Sequence, residues 1–302
     1  MPNGKPDTES RKVLSQGLTP APCFIVAPDS FKGSLTSIEA GAAIRSAILA
    51  EWPDAVVHVI PMADGGEGSV DAFVAATGGN RVEHEAAGPL AERMTTAYGV
   101  LGDGETAIIE IAATAGLTLV PADKRNPLKT TTYGLGESIR HALDHGLRKF
   151  IIALGGSATN DGGLGMLQAL GARFLDGRGQ AVPPFAASLD SIRSVDYTTI
   201  DPRLGKSVIR GACDVDNSLC GPRGASFTYG AQKGATPAQI QQLDRALACY
   251  ADRVEAHLKR SFRNVKGAGA AGGMGFALLT LGAELASGAQ LVCEVAGMEK
   301  LM

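Results

Sequence analysis

Short apolar runs alternate with longer amphipathic stretches along most of the chain. The first run, Cys23 to Ala27, predicts a buried strand, and Thr36 with Glu39 forms a capping box that marks the start of a helix. This helix is predicted to end near Glu51, and a second apolar run from Ala55 to Ile60 predicts another strand. A strand, a helix and a strand in about 40 residues are typical of two parallel strands joined by a right-handed crossover.

The same alternation recurs beyond residue 60. Further strands are predicted over 107–111, 149–154 and 208–212, and further helices are predicted to end near 76, 146, 171 and 262. Alternation of this kind predicts the α/β fold class, without fixing the order of the strands.

Composition narrows the class of partner. The 302 residues are 45% hydrophobic and 20% charged, with a formal net charge of −3. This slight acidity argues against nucleic acid or an anionic membrane as the main partner, and no apolar run is long enough to predict a membrane span. Residues 1–20 are polar and lack the apolar core of a signal peptide. We therefore expect a flexible N-terminal extension and a cytoplasmic protein.

Four polar or glycine-rich segments follow predicted strands, the places where open α/β sheets bind ligands. They are 28–34, 64–68, 155–163 and 213–217. In the first segment, Lys32 precedes a capped helix whose free N–H groups favour an anion, although an exposed lysine in a plain loop explains it equally well. In the second and third segments, glycines let backbone amides approach a ligand, and the carboxylates suit Mg²⁺.

Three other motifs are rejected. The run Gly205-Lys206-Ser207 resembles the end of a P-loop, but Ile200 stands where the first glycine is required. Residues 267–272 fit G-x-G-x-x-G, but a predicted helix precedes them where a dinucleotide-binding unit requires a strand. His141 and His145 share one helical face without a third metal ligand nearby, so we expect solvated surface histidines.

Six segments, in order along the chain, resemble motifs of the bacterial glycerate kinases. They are APDSFKGS (27–34), DGGEG (64–68), LGGSATNDGG (154–163), CDVDN (213–217), QKGA (232–235) and GAGAAGG (267–273). The resemblance extends from about residue 23 to the end of the chain, with Ala231 standing where the family usually has proline. Six motifs in the same order are far more specific than any single glycine pattern.

The resemblance implies two α/β domains. One is a flavodoxin-like domain with a parallel sheet, formed by 21–80 plus 265–302, and the other is an inserted mixed α/β domain over 81–264. Members of the family extend beyond the residue that matches Met302. We therefore expect the flavodoxin-like domain to be incomplete at its C-terminus, with a homodimer partner covering the exposed apolar surface or with a truncated, inactive chain as the alternative.

The resemblance also implies a reaction, in which ATP with Mg²⁺ phosphorylates D-glycerate to 2-phosphoglycerate, or to 3-phosphoglycerate as in other glycerate kinases. Phosphoryl transfer depends on positioning and charge neutralisation. We assign Lys32 to an anionic group, either the glycerate carboxylate or the γ-phosphate, and Lys233 to the charge of the transition state. Asp64 or Asp161 is expected to accept the proton of the glycerate hydroxyl.

Metal and binding roles are assigned to the remaining polar residues. Asp214 and Asp216 are the expected Mg²⁺ ligands, and the glycine-rich loops are expected to lie against the nucleotide phosphates. The substrate- and phosphate-binding candidates are Asp29, Ser30, Ser34, Gly65, Gly66, Gly155, Gly156, Ser157, Thr159, Asn160, Gly269, Gly272 and Gly273.

Two alternatives stay open on the sequence. One is a non-catalytic homologue that binds glycerate or a nucleotide without turnover, and the other is a kinase that acts on a different small sugar acid.

Overall fold

The computed structural model describes residues 21–31 and 34–297. The strands in this part of the chain are β1 (Cys23–Val26), β2 (Val56–Val59), β3 (Asn80–Ala87), β4 (Arg93–Val100), β5 (Thr106–Glu110), β6 (Lys149–Ala153), β7 (Arg173–Leu175), β8 (Ser194–Asp196), β9 (Val208–Ala212) and β10 (Glu284–Ala286). The helices are α1 (Ser37–Glu51), α2 (Ser69–Thr77), α3 (Ala112–Ala115), α4 (Tyr133–Asp144), α5 (Leu164–Ala169), α6 (Ala225–Tyr229), α7 (Pro237–Leu258), α8 (Ala270–Thr280) and α9 (Gly288–Val295). The predicted N-terminal extension, 1–20, lies outside the described residues.

A six-stranded sheet forms the centre of the molecule, with the strand order β10-β9-β6-β5-β4-β3. Strands β10, β9, β6 and β5 are parallel, whereas β4 pairs antiparallel with both β5 and β3. A separate two-stranded parallel sheet pairs β1 with β2, and a third small sheet pairs β7 with β8. The predicted α/β class is confirmed, while the antiparallel pair β3–β4 is a feature that the strand–helix alternation did not predict.

Capping boxes fix the starts of two helices. At α1 the Thr36 hydroxyl accepts the backbone N–H of Glu39 at 3.1 Å, and the Glu39 carboxylate accepts that of Thr36 at 2.8 Å, which confirms the predicted start. Helix α7 has the same reciprocal arrangement between Thr236 and Gln239. It ends at Leu258, before the predicted end near 262, because the next residue adopts a left-handed conformation. No helix in the described ranges combines the length and apolar composition needed to cross a membrane.

Both faces of the six-stranded sheet are buried. Strand β5 alternates between them, so that Ile109 packs into the larger core cluster while Ile108 packs into the smaller one. The larger cluster includes residues of α4, α5, α7 and α8, and the smaller one includes residues of α2 and α9. Burial on both faces explains why the parallel strands β5 and β6 are mostly apolar.

The C-terminal part of the described chain joins the large sheet. Strand β10 is hydrogen-bonded to β9, and the α8 residues Met274 and Phe276 are buried in the larger core cluster. The same segment also contacts the N-terminal part of the chain, because α9 packs with α2 in the smaller core cluster. The division into two domains itself stays a prediction.

Candidate active site

The carboxyl ends of the parallel strands β5, β6 and β9 open into a cleft of about 980 Å³. The segments that follow β1 and β2 line the same cleft, as expected for ligand sites of α/β sheets. Its volume is at the upper end of the range for small-molecule pockets, which is about 300–1,000 Å³. Among the predicted site residues, those that line the cleft are Ser30, Ser34, Asp64, Gly66, Gly155, Gly156, Ser157, Asp214 and Lys233.

Two of the predicted glycine-rich loops are in direct contact. The backbone N–H of Gly155 donates to the carbonyl oxygen of Gly65 at 2.7 Å. A Cβ atom at Gly155 would lie 2.4 Å from the Cα atom of Gly66, so this position has room for glycine alone. The contact holds the loop that carries Asp64 against the loop that follows β6.

Lys233 is a buried cation in the cleft wall. Its side chain is 2% exposed, and its Nζ donates to the hydroxyl of Ser157 at 2.8 Å and to the carbonyl oxygen of Thr159 at 2.6 Å. Burial lowers the pKa of Lys233 to about 7, although the negative charge of Asp161 opposes this shift. Because an ammonium group has three donors, one is left for an anionic ligand in the cleft.

Asp64 and Asp214 are exposed carboxylates on the cleft. Asp64 follows the β2 segment, and its Oδ1 accepts the backbone N–H of Gly66 at 2.8 Å. Asp214 comes two residues after β9. Asp216 is exposed but is not among the residues that line the cleft, so the structure brings together only one of the two predicted metal ligands with Asp64.

Asp161, the other predicted proton acceptor, lies in the interior of the protein. Its carboxylate is fully buried, away from the cleft lining, and accepts four hydrogen bonds. Two come from the backbone N–H and hydroxyl of Thr132, at 2.9 and 2.8 Å, and two from the backbone N–H groups of Gly163 and Gly165, at 3.1 and 3.3 Å. Burial raises the pKa of Asp161. The geometry is that of a structural carboxylate that ties the loop after β6 to the start of α4.

The other predicted binding residues lie behind the cleft or beside it. Those that do not line it are Asp29, Gly65, Thr159, Asn160, Gly269, Gly272 and Gly273. Gly272 contacts the loop after β6, since its carbonyl oxygen accepts the backbone N–H of Gly162 at 3.0 Å. From that segment only Ala270 and Ala271 reach the cleft. Lys32, the predicted anion-binding lysine, lies outside the described residues.

Glu110 and Arg81 are two of the cleft residues that the sequence did not predict as site residues. Glu110 ends β5, and its buried carboxylate accepts the backbone N–H of Val70 at 2.5 Å. Arg81, on β3, pairs with Asp71 at 2.6 Å and is, with Lys233, one of two cations among the described lining residues. An acid at the end of a predicted apolar strand was a usable signal for Glu110, because strand ends gather at the site. Arg81 offered none, since the strand that carries it was not predicted.

Comparison with known proteins gives consistent matches over nearly the whole chain. A model described as the glycerate kinase family matches residues 24–302. The chain is 48% identical over 280 residues to a protein of Bacillus subtilis named glycerate kinase. The aligned residues cover 92% of this chain and 73% of that relative. It is 48% identical over 278 residues to the glycerate 2-kinase of Escherichia coli, again covering 92% and 73%. The glycerate kinase 2 crystal structure from Salmonella typhimurium LT2 superposes with a TM-score of 0.89 at 47% identity, covering 93% of this chain and 75% of that one.

Proposed function

Because the chain belongs to the glycerate kinase family, we propose that it transfers the γ-phosphate of ATP to D-glycerate and forms 2-phospho-D-glycerate. The observation that carries the proposal is the cleft in which the buried Lys233 meets the loops of Asp64 and Asp214. The name of the Escherichia coli relative, glycerate 2-kinase, supports the 2-phosphate as product. Transfer to the other hydroxyl, which gives 3-phosphoglycerate, is the alternative.

The reaction is a displacement at phosphorus. The glycerate hydroxyl oxygen forms a bond to the γ-phosphorus, the bond from that phosphorus to the β,γ-bridging oxygen breaks, and ADP leaves with the electron pair. The hydroxyl proton passes to a carboxylate. We assign this role to Asp64, because it is exposed on the cleft while the carboxylate of Asp161 is buried and occupied by four donors.

Positive charge on the cleft wall stabilises the phosphoryl group in transit. Lys233 reaches the cleft with one donor to spare and from a buried position, where a charge acts more strongly than in water. Arg81 is a second cation for the carboxylate or the phosphates. Lys32 stays a proposal as an anion ligand from the loop after β1.

Mg²⁺ fits the donor set that the cleft offers. The ion is held by one or two carboxylates together with substrate phosphates and water, and it neutralises charge on the phosphate oxygens. Asp214 is exposed on the cleft and is the proposed ligand, while Asp216 is a weaker candidate. No group of three His, Cys, Asp or Glu side chains suited to a metal occurs within 21–31 and 34–297.

The test is ATP-dependent turnover of D-glycerate by this chain with Mg²⁺, with ADP followed by a coupled assay and the phosphate position assigned by NMR. L-glycerate and a panel of other hydroxy acids are the controls for the acceptor, and omission of Mg²⁺ is the control for the metal. Faster turnover of another hydroxy acid would favour the different sugar-acid kinase. Nucleotide binding without turnover would favour the non-catalytic homologue. A homodimer and a cytoplasmic location stay predictions.

A further inference from the structure

Glu110 caps the N-terminus of helix α2, whose own N-cap residue provides no side-chain acceptor. Helix α2 begins after Gly68, which adopts a left-handed conformation and has no side chain to accept the first-turn N–H groups. The carboxylate of Glu110 supplies the missing acceptor from β5, since it binds the backbone N–H of Val70 across 40 residues of sequence. A carboxylate at a helix N-terminus is favoured by both the free N–H groups and the helix dipole.

Burying this carboxylate is costly, so its position calls for a structural reason. Glu110 is 7% exposed, and burial of an ionised group is unfavourable unless hydrogen bonds compensate. Its nearest charges add to the cost, because Glu67 and Asp71 are both acidic. The negative charge of Asp71 is offset by its ion pair with Arg81 at 2.6 Å. Glu67 lies within the Asp64–Gly68 loop.

The contact completes a two-point attachment of the loop that carries Asp64. At one end Gly155, after β6, donates to Gly65, and at the other end Glu110, on the adjacent strand β5, accepts from Val70. The loop is therefore fixed to the carboxyl ends of two neighbouring strands of the central sheet. A proton acceptor on such a loop is held in one place relative to the other cleft residues.

We propose that Glu110 is a positioning residue that fixes the Asp64–Gly68 loop for proton transfer, an inference that rests on the proposed function. Burial raises the pKa of Glu110 to about 7. Protonation near neutral pH removes the negative charge that binds the N–H of Val70, so the attachment weakens as the pH falls below 7.

The experiment combines hydrogen exchange of the ligand-free full chain with steady-state kinetics. The variants are Glu110→Ala, which removes the acceptor, and Glu110→Gln, which keeps an oxygen acceptor of the same size but does not titrate. The matched control is Glu137→Gln, because the Glu137 carboxylate also accepts a distant backbone N–H, that of Ala87 at 2.7 Å, but lies outside the cleft lining.

In Glu110→Ala we expect protection of the amides over 66–72 to fall about tenfold, as for one lost hydrogen bond to a charged group. We expect kcat to fall about 10²-fold, with the KM for ATP nearly unchanged, because a misplaced catalytic group lowers the rate more than binding. In the wild type, protection at 66–72 should increase from pH 6 to pH 8, and in Glu110→Gln this dependence should be absent. Glu137→Gln should match the wild type in both measurements.

Unchanged protection in Glu110→Ala would overturn the proposal, as would a lower melting temperature with kcat retained. A fall in kcat without any change in protection would also overturn it, because Glu110 would then act on substrate directly. The exchange measurement needs no substrate. If the wild type fails to phosphorylate D-glycerate, the proposed function fails while the attachment of the loop is still decided.

Discussion

The ammonium nitrogen of Lys233 lies 2.8 Å from the hydroxyl oxygen of Ser157, joining two segments that are 76 residues apart in sequence. The bond holds a buried positive charge against the loop that follows the central strand β6. Burial of a cation is unfavourable in the free protein, but it becomes favourable when an anion enters the cleft. A cation stored in this position is suited to a reaction whose substrates are all anionic.

Replacement of Lys233 by methionine is expected to lower kcat/KM by about 10²–10³-fold, the usual loss on removing one donor to transition-state charge. Lys206→Met is the control, since Lys206 is exposed and outside the cleft lining. Coupled-assay kinetics with saturating ATP measure both. Retention of more than about a tenth of the wild-type kcat/KM in Lys233→Met would contradict the assignment.

The same lysine predicts a dependence of stability on pH. The pKa of Lys233 is lowered by burial from 10.5 to about 7, so between these values the unfolded chain binds more protons than the folded one. The free energy of unfolding is therefore expected to gain a contribution as the pH rises from 7 toward 10.5. Urea denaturation of wild type and Lys233→Met at pH 7, 8 and 9 measures this contribution. The free energy of unfolding of the wild type should increase relative to that of the variant as the pH rises. Parallel curves for the two proteins would argue against a lowered pKa of Lys233.

Asp161→Asn is expected to lower stability, whereas Asp64→Asn is expected to lower the catalytic rate. Asp161→Asn replaces one acceptor oxygen by a donor inside a buried network, which should lower the free energy of unfolding by about 1–3 kcal/mol with little change in the kcat of the folded enzyme. Asp64→Asn should leave stability nearly unchanged and lower kcat by about 10²–10⁴-fold. Denaturant titration and kinetics on both variants check this, and the reverse pattern would return the role of base to Asp161.

Gly155→Ala is expected to abolish the contact between the two glycine-rich loops, because its Cβ would lie 2.4 Å from Gly66 and 2.9 Å from the carbonyl oxygen of Gly65. We expect kcat to fall by about 10²-fold as the Asp64 loop moves. Gly205→Ala is the matched control, since a Cβ there would meet no atom within 4 Å. Equal activity of the two variants would show that the loop contact is dispensable.

His141 and His145, the two histidines predicted to be solvated, form a cluster with His84. The ring centroid of His141 lies 4.8 Å from that of His84 and 4.2 Å from that of His145. His141 is half-buried, so the prediction of a solvated side chain was wrong for this residue. His84 is buried against α4. His84 meets His141 because β3 packs against α4, a contact that the sequence did not predict.

This cluster predicts a loss of stability in acid. Burial is the main cause of the lowered pKa of His84 and of His141, and neighbouring histidines lower both further. As the pH falls below the ordinary value near 6.5, the unfolded chain binds protons that the folded chain resists, so the free energy of unfolding decreases. Melting temperatures of wild type and His84→Gln between pH 7 and 5 measure the effect. A variant that loses as much stability as the wild type over this range would contradict it.

Local signals identified much of the fold. The apolar runs of β5, β6 and β9 and the capping box at Thr36 and Glu39 depend only on residues close in sequence, so the sequence alone predicts them. The pair β3–β4 was missed because its strands alternate with exposed positions and carry no strong apolar run. The strand order depends on which edges pair, which no local pattern encodes.

By itself the sequence determined the α/β class, the position of the ligand loops after parallel strands, and the family to which the chain belongs. The tertiary structure decided which carboxylates face the cleft. Asp64 and Asp161 look alike in sequence, each beside glycines after a strand, yet one is exposed and the other accepts four hydrogen bonds in the interior. Burial and hydrogen bonding are set by segments distant in sequence, such as Thr132 against Asp161 and Val70 against Glu110, and these set the charge and the reach of each group.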